Sequence, residues 1–183
     1  MNYYGAKELA ESFRTVRKNT VTIAEDIPED KYGYRPAPDC RSVAEMLIHI
    51  AVSYRIQYQT QAVERRTTLA GVDFPAMLRE IHAEETKPRS KAEIIELLRS
   101  NGKSWACWLE GLTEEFLAES VAIPHGPAPT SKSRFEMILS VKEHEMHHRS
   151  QLMLTERMLG IVPHLTRQMH ARISETQAAR PKS

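Results

Sequence analysis

Three long segments of this 183-residue chain open with the pattern Ser-x-x-Glu, which marks where helices should begin. The three copies start at Ser42, Ser90 and Ser133. In this capping box the side chains of the serine and the glutamate each accept a hydrogen bond from the backbone N–H of the other residue, which stabilises the first helical turn. The segments that follow lack the alternation of apolar and polar residues that is typical of strands. The chain is therefore expected to be mainly helical.

Prolines and glycines between these segments set the predicted limits of the helices. We predict four long helices and one shorter helical segment, the third in chain order, over residues 4–26, 42–64, 74–87, 90–112 and 133–160. This pattern indicates an all-α fold, namely a four-helix bundle with a short extra helical segment. Residues 1–163 are expected to form a single domain, and residues 164–183 a polar C-terminal tail with one short helix followed by disorder.

Composition narrows the choice of partners and compartment. The 25 lysines and arginines are scattered among 24 aspartates and glutamates, so no basic surface for nucleic acid is evident. No segment approaches the ~18 apolar residues of a membrane-spanning helix, and the N-terminus lacks the apolar core of a signal peptide. The two cysteines, Cys40 and Cys107, form no Cys-x-x-Cys pair, which is typical of a reducing compartment. We expect a soluble cytoplasmic protein without nucleic-acid or membrane partners.

Two histidines on the last long helix are candidate metal ligands. His144 and His148 are four residues apart, so both imidazoles lie on one face of the helix. At ~100° per residue the same face carries several apolar residues: Met137, Val141, Leu152 and Leu159. A single histidine among apolar residues is usually a hydrogen-bonded core residue. A pair at this spacing is costly to bury unless one partner binds both imidazoles, and a divalent metal does so.

Two ligands make a weak site, so another helix should supply a third. His49 lies in the middle of the second helix beside apolar residues, although at the margin of its apolar stripe. His82, on the shorter polar segment, is the competing candidate. His147 lies ~100° from His148 on a mostly polar face, where an exposed side chain is expected. The other histidines lie in the predicted loop or tail and should be solvated: His125, His164 and His170.

The segment His144-Glu145-Met146-His147-His148 also matches the His-Glu-x-x-His signature of zinc proteases. Such a protease needs a third ligand downstream and a sheet that holds the substrate backbone, and neither is evident here. A di-iron carboxylate site fails as well, because it needs two copies of Glu-x-x-His. Outside a protease, Glu145 has two interpretations. Either it orients a ligand imidazole or takes a proton at the site, or it is an exposed carboxylate.

Two stretches of the sequence resemble the DinB/YfiT-like family of metal-dependent enzymes. In the first, IPEDKYGYRPAPDCRSVAEMLIHIA, a proline-containing loop and a capping serine lead into a helix whose metal-binding histidine corresponds to His49. The second, HEMHHRSQL, resembles the family signature His-x-x-x-His-Arg-Gly-Gln-(Leu/Ile), with the other two ligands at His144 and His148. Ser150 stands where the family usually has glycine. The similarity extends over residues 4–160.

The resemblance implies a four-helix bundle with a three-histidine site for a divalent metal, commonly zinc or nickel, with iron or manganese as alternatives, and often a homodimer. The best-understood relatives are transferases or isomerases that use low-molecular-weight thiols. The resemblance therefore implies a thiol-dependent transferase or a hydrolase, with a metal-activated thiolate or water as nucleophile. The family name implies no DNA binding. The alternative is a non-catalytic metal-binding or stress-response protein whose site stabilises the bundle or senses metal.

A second apolar stripe on the last helix raises the question of a partner chain. It lies about 180° from the histidine stripe and contains Phe135, Leu139, Met146 and Met153. A helix that is apolar on two sides is buried on two sides. The stripe is therefore expected either to pack inside the chain or to form the interface of a homodimer.

Overall fold

The computed structural model describes residues 4–124 and 129–178. Its helices are α1 (Ala6–Asp26), α2 (Val43–Val52), α3 (Arg55–Gln57), α4 (Phe74–Glu85), α5 (Lys91–Glu110), α6 (Glu114–Ala118), α7 (Arg134–Met158) and α8 (His164–Ala178). A 3₁₀ turn covers Glu29–Lys31, a π-helical turn covers Tyr58–Val63, and two short strands are β1 (Ser120–Ala122) and β2 (Ser131–Ser133). The fold is all-α apart from this small hairpin, as the sequence predicts.

Four of the helices, α1, α2, α5 and α7, form a bundle. α1 packs against α5 and α7, and α2 packs against the same two helices, which puts α1 and α2 at opposite corners. α4 packs against α2. The four long elements of the bundle are the ones expected from the sequence, and the shorter α4 is the predicted extra segment.

The three capping boxes form as expected. The hydroxyls of Ser42, Ser90 and Ser133 accept hydrogen bonds at 3.2, 3.3 and 3.2 Å from the backbone N–H three residues later. The paired glutamates accept the serine backbone N–H at 2.8, 2.7 and 2.9 Å. Three of the four bundle helices, α2, α5 and α7, therefore begin where the sequence predicts.

The apolar core consists of two clusters along the bundle. One includes Leu9, Phe13, Trp105, Leu109, Ile138 and Val141. The other includes Ile23, Leu47, Ile50, Ile94, Leu98 and Leu152. Between the two clusters, α1 contributes Arg17, α5 contributes Gly102 and α7 contributes Glu145. The core is therefore interrupted by a polar layer.

A buried ion pair forms this polar layer. Arg17 Nε and Nη2 donate to the Glu145 carboxylate at 2.9 to 3.1 Å, and the two side chains are only 6% and 2% exposed. Arg17 also donates to the backbone carbonyls of Leu98 at 2.7 Å and Ile50 at 3.3 Å. The Thr20 hydroxyl donates to the Glu145 carboxylate at 2.7 Å. These bonds connect all four bundle helices.

Gly102 makes room for the arginine in the middle of α5. A Cβ at this position would lie 2.7 Å from Cγ and 3.1 Å from Nη1 of Arg17. A glycine inside a helix costs about 1 kcal/mol relative to alanine. The close approach of Arg17 explains why α5 carries this glycine.

The second predicted helix differs from the expectation. Helical structure continues to Val63, but α2 ends at Val52, and α3 and the π-helical turn follow it. In the π-helical turn the Thr60 hydroxyl donates to the backbone carbonyl of Ile56 at 2.9 Å. Hydroxyls that bind backbone carbonyls compete with helical hydrogen bonds and bend helices. This bond accompanies the irregular π-helical turn, a local feature that apolar periodicity does not reveal.

A small hairpin precedes α7, where the sequence indicates no strand. β1 pairs antiparallel with β2, and Ser120 lies opposite Ser133. Three residues per strand are too few to produce a recognisable alternation. Next to the hairpin, the buried Arg134 donates to Glu119 and to Gln61, both at 2.7 Å, so the start of α7 is fixed by polar contacts.

The second stripe of α7 is largely covered by the chain itself. Phe135 and Leu139 pack against one apolar cluster and Met153 packs against the other. Met146 remains 42% exposed. A homodimer interface at Met146 stays a prediction.

The predicted tail begins with a helix that is docked on α1. His164, expected to be solvated, is only 3% exposed, and its Nε2 lies 3.2 Å from Asn19 Oδ1. Arg167 forms an ion pair with Asp26 at 2.6 Å. α8 continues to Ala178, and residues 179–183 lie outside the described residues. Among the described helices, none combines the length and the apolar character needed to cross a bilayer.

A buried carboxylate lies near this junction. Glu156 is 0% exposed, and neither of its carboxylate oxygens has a hydrogen-bond partner in the part of the chain that the structure describes. Burial, with the Asp26 carboxylate nearby, raises the pKa of Glu156 to about 7. Glu156 is therefore largely protonated in mildly acidic solution.

We expect Gly102→Ala to lower the free energy of unfolding by about 1–3 kcal/mol, because the added methyl group overlaps the locked Arg17 side chain. Urea denaturation followed by circular dichroism measures this change. Ser104→Ala on the exposed face of α5 is the matched control and should be neutral or slightly stabilising, since alanine favours helices. A Gly102→Ala protein as stable as the wild type would show that Arg17 is not held in place.

A pH-dependent change in stability is expected from Glu156. The folded protein binds this proton more tightly than the unfolded chain, so the contribution of Glu156 to stability falls as the pH rises from 4.5 to about 7. The free energy of unfolding of Glu156→Gln, relative to that of the wild type, should therefore increase by about 2–3 kcal/mol between pH 5 and pH 8. Urea denaturation at both pH values measures it. Glu143→Gln, on the exposed face of α7, should show no such growth, and equal behaviour of both variants would contradict the prediction.

Candidate metal centre

Three histidines from two helices converge on one point. His49 of α2 and His144 of α7 have their Nε2 atoms 3.1 Å apart, and the Nε2 atoms of His144 and His148 are 3.0 Å apart. His49 is buried and the other two are half-buried. The structure therefore brings together the three residues that the sequence nominates as ligands.

The outer nitrogen of each ring has a polar partner. His49 Nδ1 lies 2.7 Å from Glu85 Oε1, and His148 Nδ1 lies 2.8 Å from Gln151 Oε1. His144 Nδ1 lies 3.3 Å from Ser53 Oγ. Carboxylate and amide oxygens accept hydrogen bonds, so His49 and His148 donate from Nδ1 and leave the Nε2 lone pair free. Both rings are therefore in the tautomer that binds a metal through Nε2.

The spacing of the three nitrogens suits a metal ion. Ligand nitrogens at 2.0–2.1 Å from a tetrahedral metal are ~3.3 Å apart, which differs by only a few tenths of an ångström from the distances observed. One ring nitrogen from each residue lies within 4.8 Å of the other two. Three protein ligands leave one position of a tetrahedral ion open, as in catalytic zinc sites. The group can therefore hold a divalent metal.

Burial keeps two of the three rings neutral. Burial, together with the neighbouring His148 and His49, lowers the pKa of His144 to about 4, and burial also lowers the pKa of His148. Burial alone would raise the pKa of Glu85, but hydrogen bonds from His49 and Arg41 outweigh it and lower the pKa to about 2. At neutral pH the site thus offers the uncharged imidazoles of His144 and His148 beside an ionised carboxylate, and an uncharged imidazole is the form that binds a metal.

Two other histidines lie near the site without joining it. The His82 side chain is 75% exposed, and its Nδ1 lies 3.7 Å from Glu85 Oε2. His147 is exposed, with its ring beside that of His148. His82 therefore lies outside the group of three ring nitrogens, although it approaches the carboxylate that orients His49. His125 lies outside the described residues.

Glu145 neither acts at the histidines nor lies exposed, which were the two interpretations of the sequence. It is buried, and its carboxylate accepts hydrogen bonds from Arg17 and Thr20 instead of orienting an imidazole. The reason is its angular position, because a residue next to His144 on a helix points ~100° away from it. This direction leads into the bundle core, so Glu145 is unsuited to act as a base at the histidines.

Glu85, Gln151 and Ser53 are site residues that the sequence did not reveal. Glu85 ends α4, and its ion pair with Arg41 at 2.8 Å connects the loop before α2 to this helix. Only tertiary packing of α4 on α2 brings it to His49. Gln151 is the one with a local signal, because it follows His148 by three residues on the same helix and such pairs are neighbours on the surface.

A cavity of 690 Å³ adjoins the candidate metal centre at His148. It lies between the loop before α2 and the second half of α7, and its wall includes His148, Glu85 and Gln151. Cys40, in that loop, also lines the cavity. The candidate metal centre therefore borders a space large enough for a small molecule.

Comparisons with known proteins agree with the fold. The protein YjoA of Bacillus subtilis is 23% identical over 160 residues, which is 85% of this chain and 91% of YjoA. The solved structure of that DinB-like protein has a TM-score of 0.60 at 22% identity and covers 84% of this chain and 92% of its own. YfiT of Bacillus subtilis, described as a probable metal-dependent hydrolase with an unusual four-helix bundle topology, has a TM-score of 0.66 at 13% identity over 88% of this chain and 91% of its own. At these identities the two structures establish the likeness of the fold.

The sequence pattern of the DinB superfamily matches residues 12–152. This range contains the three histidines and most of the four bundle helices. The chain belongs to the DinB superfamily.

Proposed function

We propose that this protein is a divalent-metal-dependent enzyme in which His49, His144 and His148 hold the metal. The observation that carries the proposal is the approach of His144 Nε2 to the Nε2 atoms of His49 at 3.1 Å and of His148 at 3.0 Å. A divalent metal such as zinc or nickel would supply Lewis-acid activation of a water or of a low-molecular-weight thiol, which then attacks an electrophilic substrate. The description of YfiT as a probable metal-dependent hydrolase supports water as the nucleophile.

The surroundings of the histidines support a catalytic over a structural role. A structural zinc site is closed by four protein ligands, whereas three histidines leave a position for substrate. The site borders a cavity of 690 Å³. The buried Arg17–Glu145 ion pair already connects the helices of the bundle, so a metal is not needed to stabilise its core.

The chain's own residues would orient the ligands. Glu85 accepts a hydrogen bond from His49 Nδ1 and is itself held by Arg41 at 2.8 Å. Gln151 accepts a hydrogen bond from His148 Nδ1. Such partners fix the ring orientation and increase the basicity of the ligand nitrogen. The carboxylate of Glu85 also places a negative charge next to the metal position.

We expect His49→Ala to abolish stoichiometric metal binding, because it removes the only proposed ligand on α2. Glu85→Gln should lower metal affinity about 10–100-fold, since the ring of His49 loses its charged partner. Elemental analysis after dialysis, and competition with a chromogenic chelator, measure both effects.

Two residues close to the site provide matched control variants. His82→Ala removes an exposed histidine near the same carboxylate, and Glu84→Gln changes the adjacent carboxylate, which pairs with Lys87 and Arg89 instead. Both should retain metal. Full metal content in His49→Ala would overturn the three-histidine site.

Two assays test the reaction class on the zinc- or nickel-loaded protein. One follows hydrolysis of p-nitrophenyl acetate, and the other follows addition of glutathione to 1-chloro-2,4-dinitrobenzene. We expect at least one rate to fall about 10²-fold or more in His144→Ala, because loss of Lewis-acid activation costs several kcal/mol. If metal raises the melting temperature while neither rate depends on His144, the site is structural or senses metal, and the enzymatic proposal is wrong.

A further inference from the structure

The wall of the cavity beside the candidate metal centre combines polar and apolar side chains. It includes the proposed ligand His148 with its partner Gln151, and Glu85, the partner of His49. Its apolar side chains include Met46 of α2 with Leu154 and Met158 of α7. The space thus reaches the candidate metal centre at His148, and its apolar side chains could contact an uncharged group.

α7 provides a continuous apolar track that leads away from the histidines. Gln151, Leu154 and Met158 are spaced i, i+3 and i+7, so they share one face of the helix. Leu154 lies ~9 Å and Met158 ~15 Å beyond His148 along the helix axis, at 1.5 Å per residue. The two side chains are 61% and 51% exposed. The chain therefore leaves two adjacent large apolar side chains uncovered beside the cavity.

The cationic groups of the cavity wall are already paired. Arg35 forms an ion pair with Glu45, and Arg41 forms one with Glu85. An anionic tail would have to compete with these carboxylates, whereas an apolar tail gains from covering Leu154 and Met158.

We propose that the cavity binds an amphipathic small molecule whose polar reacting group lies at the histidines and whose alkyl or aryl tail lies along Leu154 and Met158. The volume of 690 Å³ falls within the range of about 300–1,000 Å³ that is usual for small-molecule sites. The distance to Leu154 corresponds to a tail of roughly eight carbons, and the distance to Met158 to a tail of roughly twelve carbons. This inference rests on the proposed metal site, because it assigns the open position of the metal to the polar group of the substrate.

Straight-chain hydroxamic acids test the inference on the zinc-loaded protein, because they combine a metal-binding head with a tail of chosen length. Affinity is measured by isothermal titration calorimetry for chains of two to about twelve carbons. A buried methylene contributes a factor of about 3–4 in affinity, and the track is partly open to solvent. We therefore expect affinity to rise at least about 10²-fold from the two-carbon to the eight-carbon compound.

The variants Leu154→Asn and Met158→Asn should flatten this dependence on chain length and leave the affinity for the two-carbon acid unchanged. Leu78→Asn is the matched control, because Leu78 is an equally exposed leucine, at 54%, on α4 and outside the cavity wall. It should leave the whole series unchanged. Size-exclusion chromatography of all three variants monitors the oligomeric state.

The possible outcomes separate this inference from the proposed function. If the two-carbon acid does not bind to the zinc-loaded protein, the open metal position is wrong and the proposed function fails with it. If the two-carbon acid binds but affinity does not rise with chain length, the metal site stands and the apolar-tail inference is overturned. If Leu154→Asn changes the oligomeric state and leaves the chain-length series intact, the exposed track is an interface between copies of this chain, and the inference is again overturned.

Discussion

The Arg17–Glu145 ion pair is the interaction on which the rest of the bundle depends. Two charges buried in an apolar core are costly unless every polar atom finds a partner, because they lose their hydration. Here Arg17 donates to Glu145 and to two backbone carbonyls, and Glu145 also accepts from Thr20. Removing one side chain would leave the other as an unpaired buried charge, at a cost of about 3–5 kcal/mol. The four helices are therefore held in one relative arrangement, which apolar packing alone would specify less strictly.

This polar layer also determines where the histidines can be. Glu145 follows His144 directly on α7, and the Ile50 carbonyl that accepts from Arg17 belongs to the residue after His49 on α2. When Arg17 binds both neighbours, it fixes the rotation and the height of the two helices relative to each other. The Nε2 atoms of His49 and His144 then meet at 3.1 Å. The contacts of Arg17 thus lie one residue from His144 on α7 and one residue from His49 on α2. They determine the geometry of the candidate metal centre.

The sequence predicted those parts of the molecule that depend on local chemistry. The capping boxes gave the starts of α2, α5 and α7, and the spacing of His144 and His148 gave a shared face, because both effects act within one or two helical turns. The neighbouring residues left His49 and His82 as two candidates for the third metal ligand. The family resemblance was needed to choose His49. Glu85 could not be found, because it reaches His49 only through the packing of α4 on α2. The polar segment after Pro163 predicts a solvated His164, because nothing in its sequence indicates the contact that its ring makes with Asn19 on α1.

The His-Glu-x-x-His pattern of α7 follows from helix geometry and does not require a protease site. At ~100° per residue, α7 presents three directions in turn: Glu145 faces the core, His144 and His148 face α2, and Leu154 and Met158 face the cavity. The glutamate is next to the first histidine because the core face and the ligand face are adjacent on the helix. Each face has its own physical role, which is cohesion of the bundle, metal binding and contact with a ligand. Because the roles are separated by angle, the cavity face can change its side chains, and with them the preferred ligand, while the ion pair and the three imidazoles stay in place.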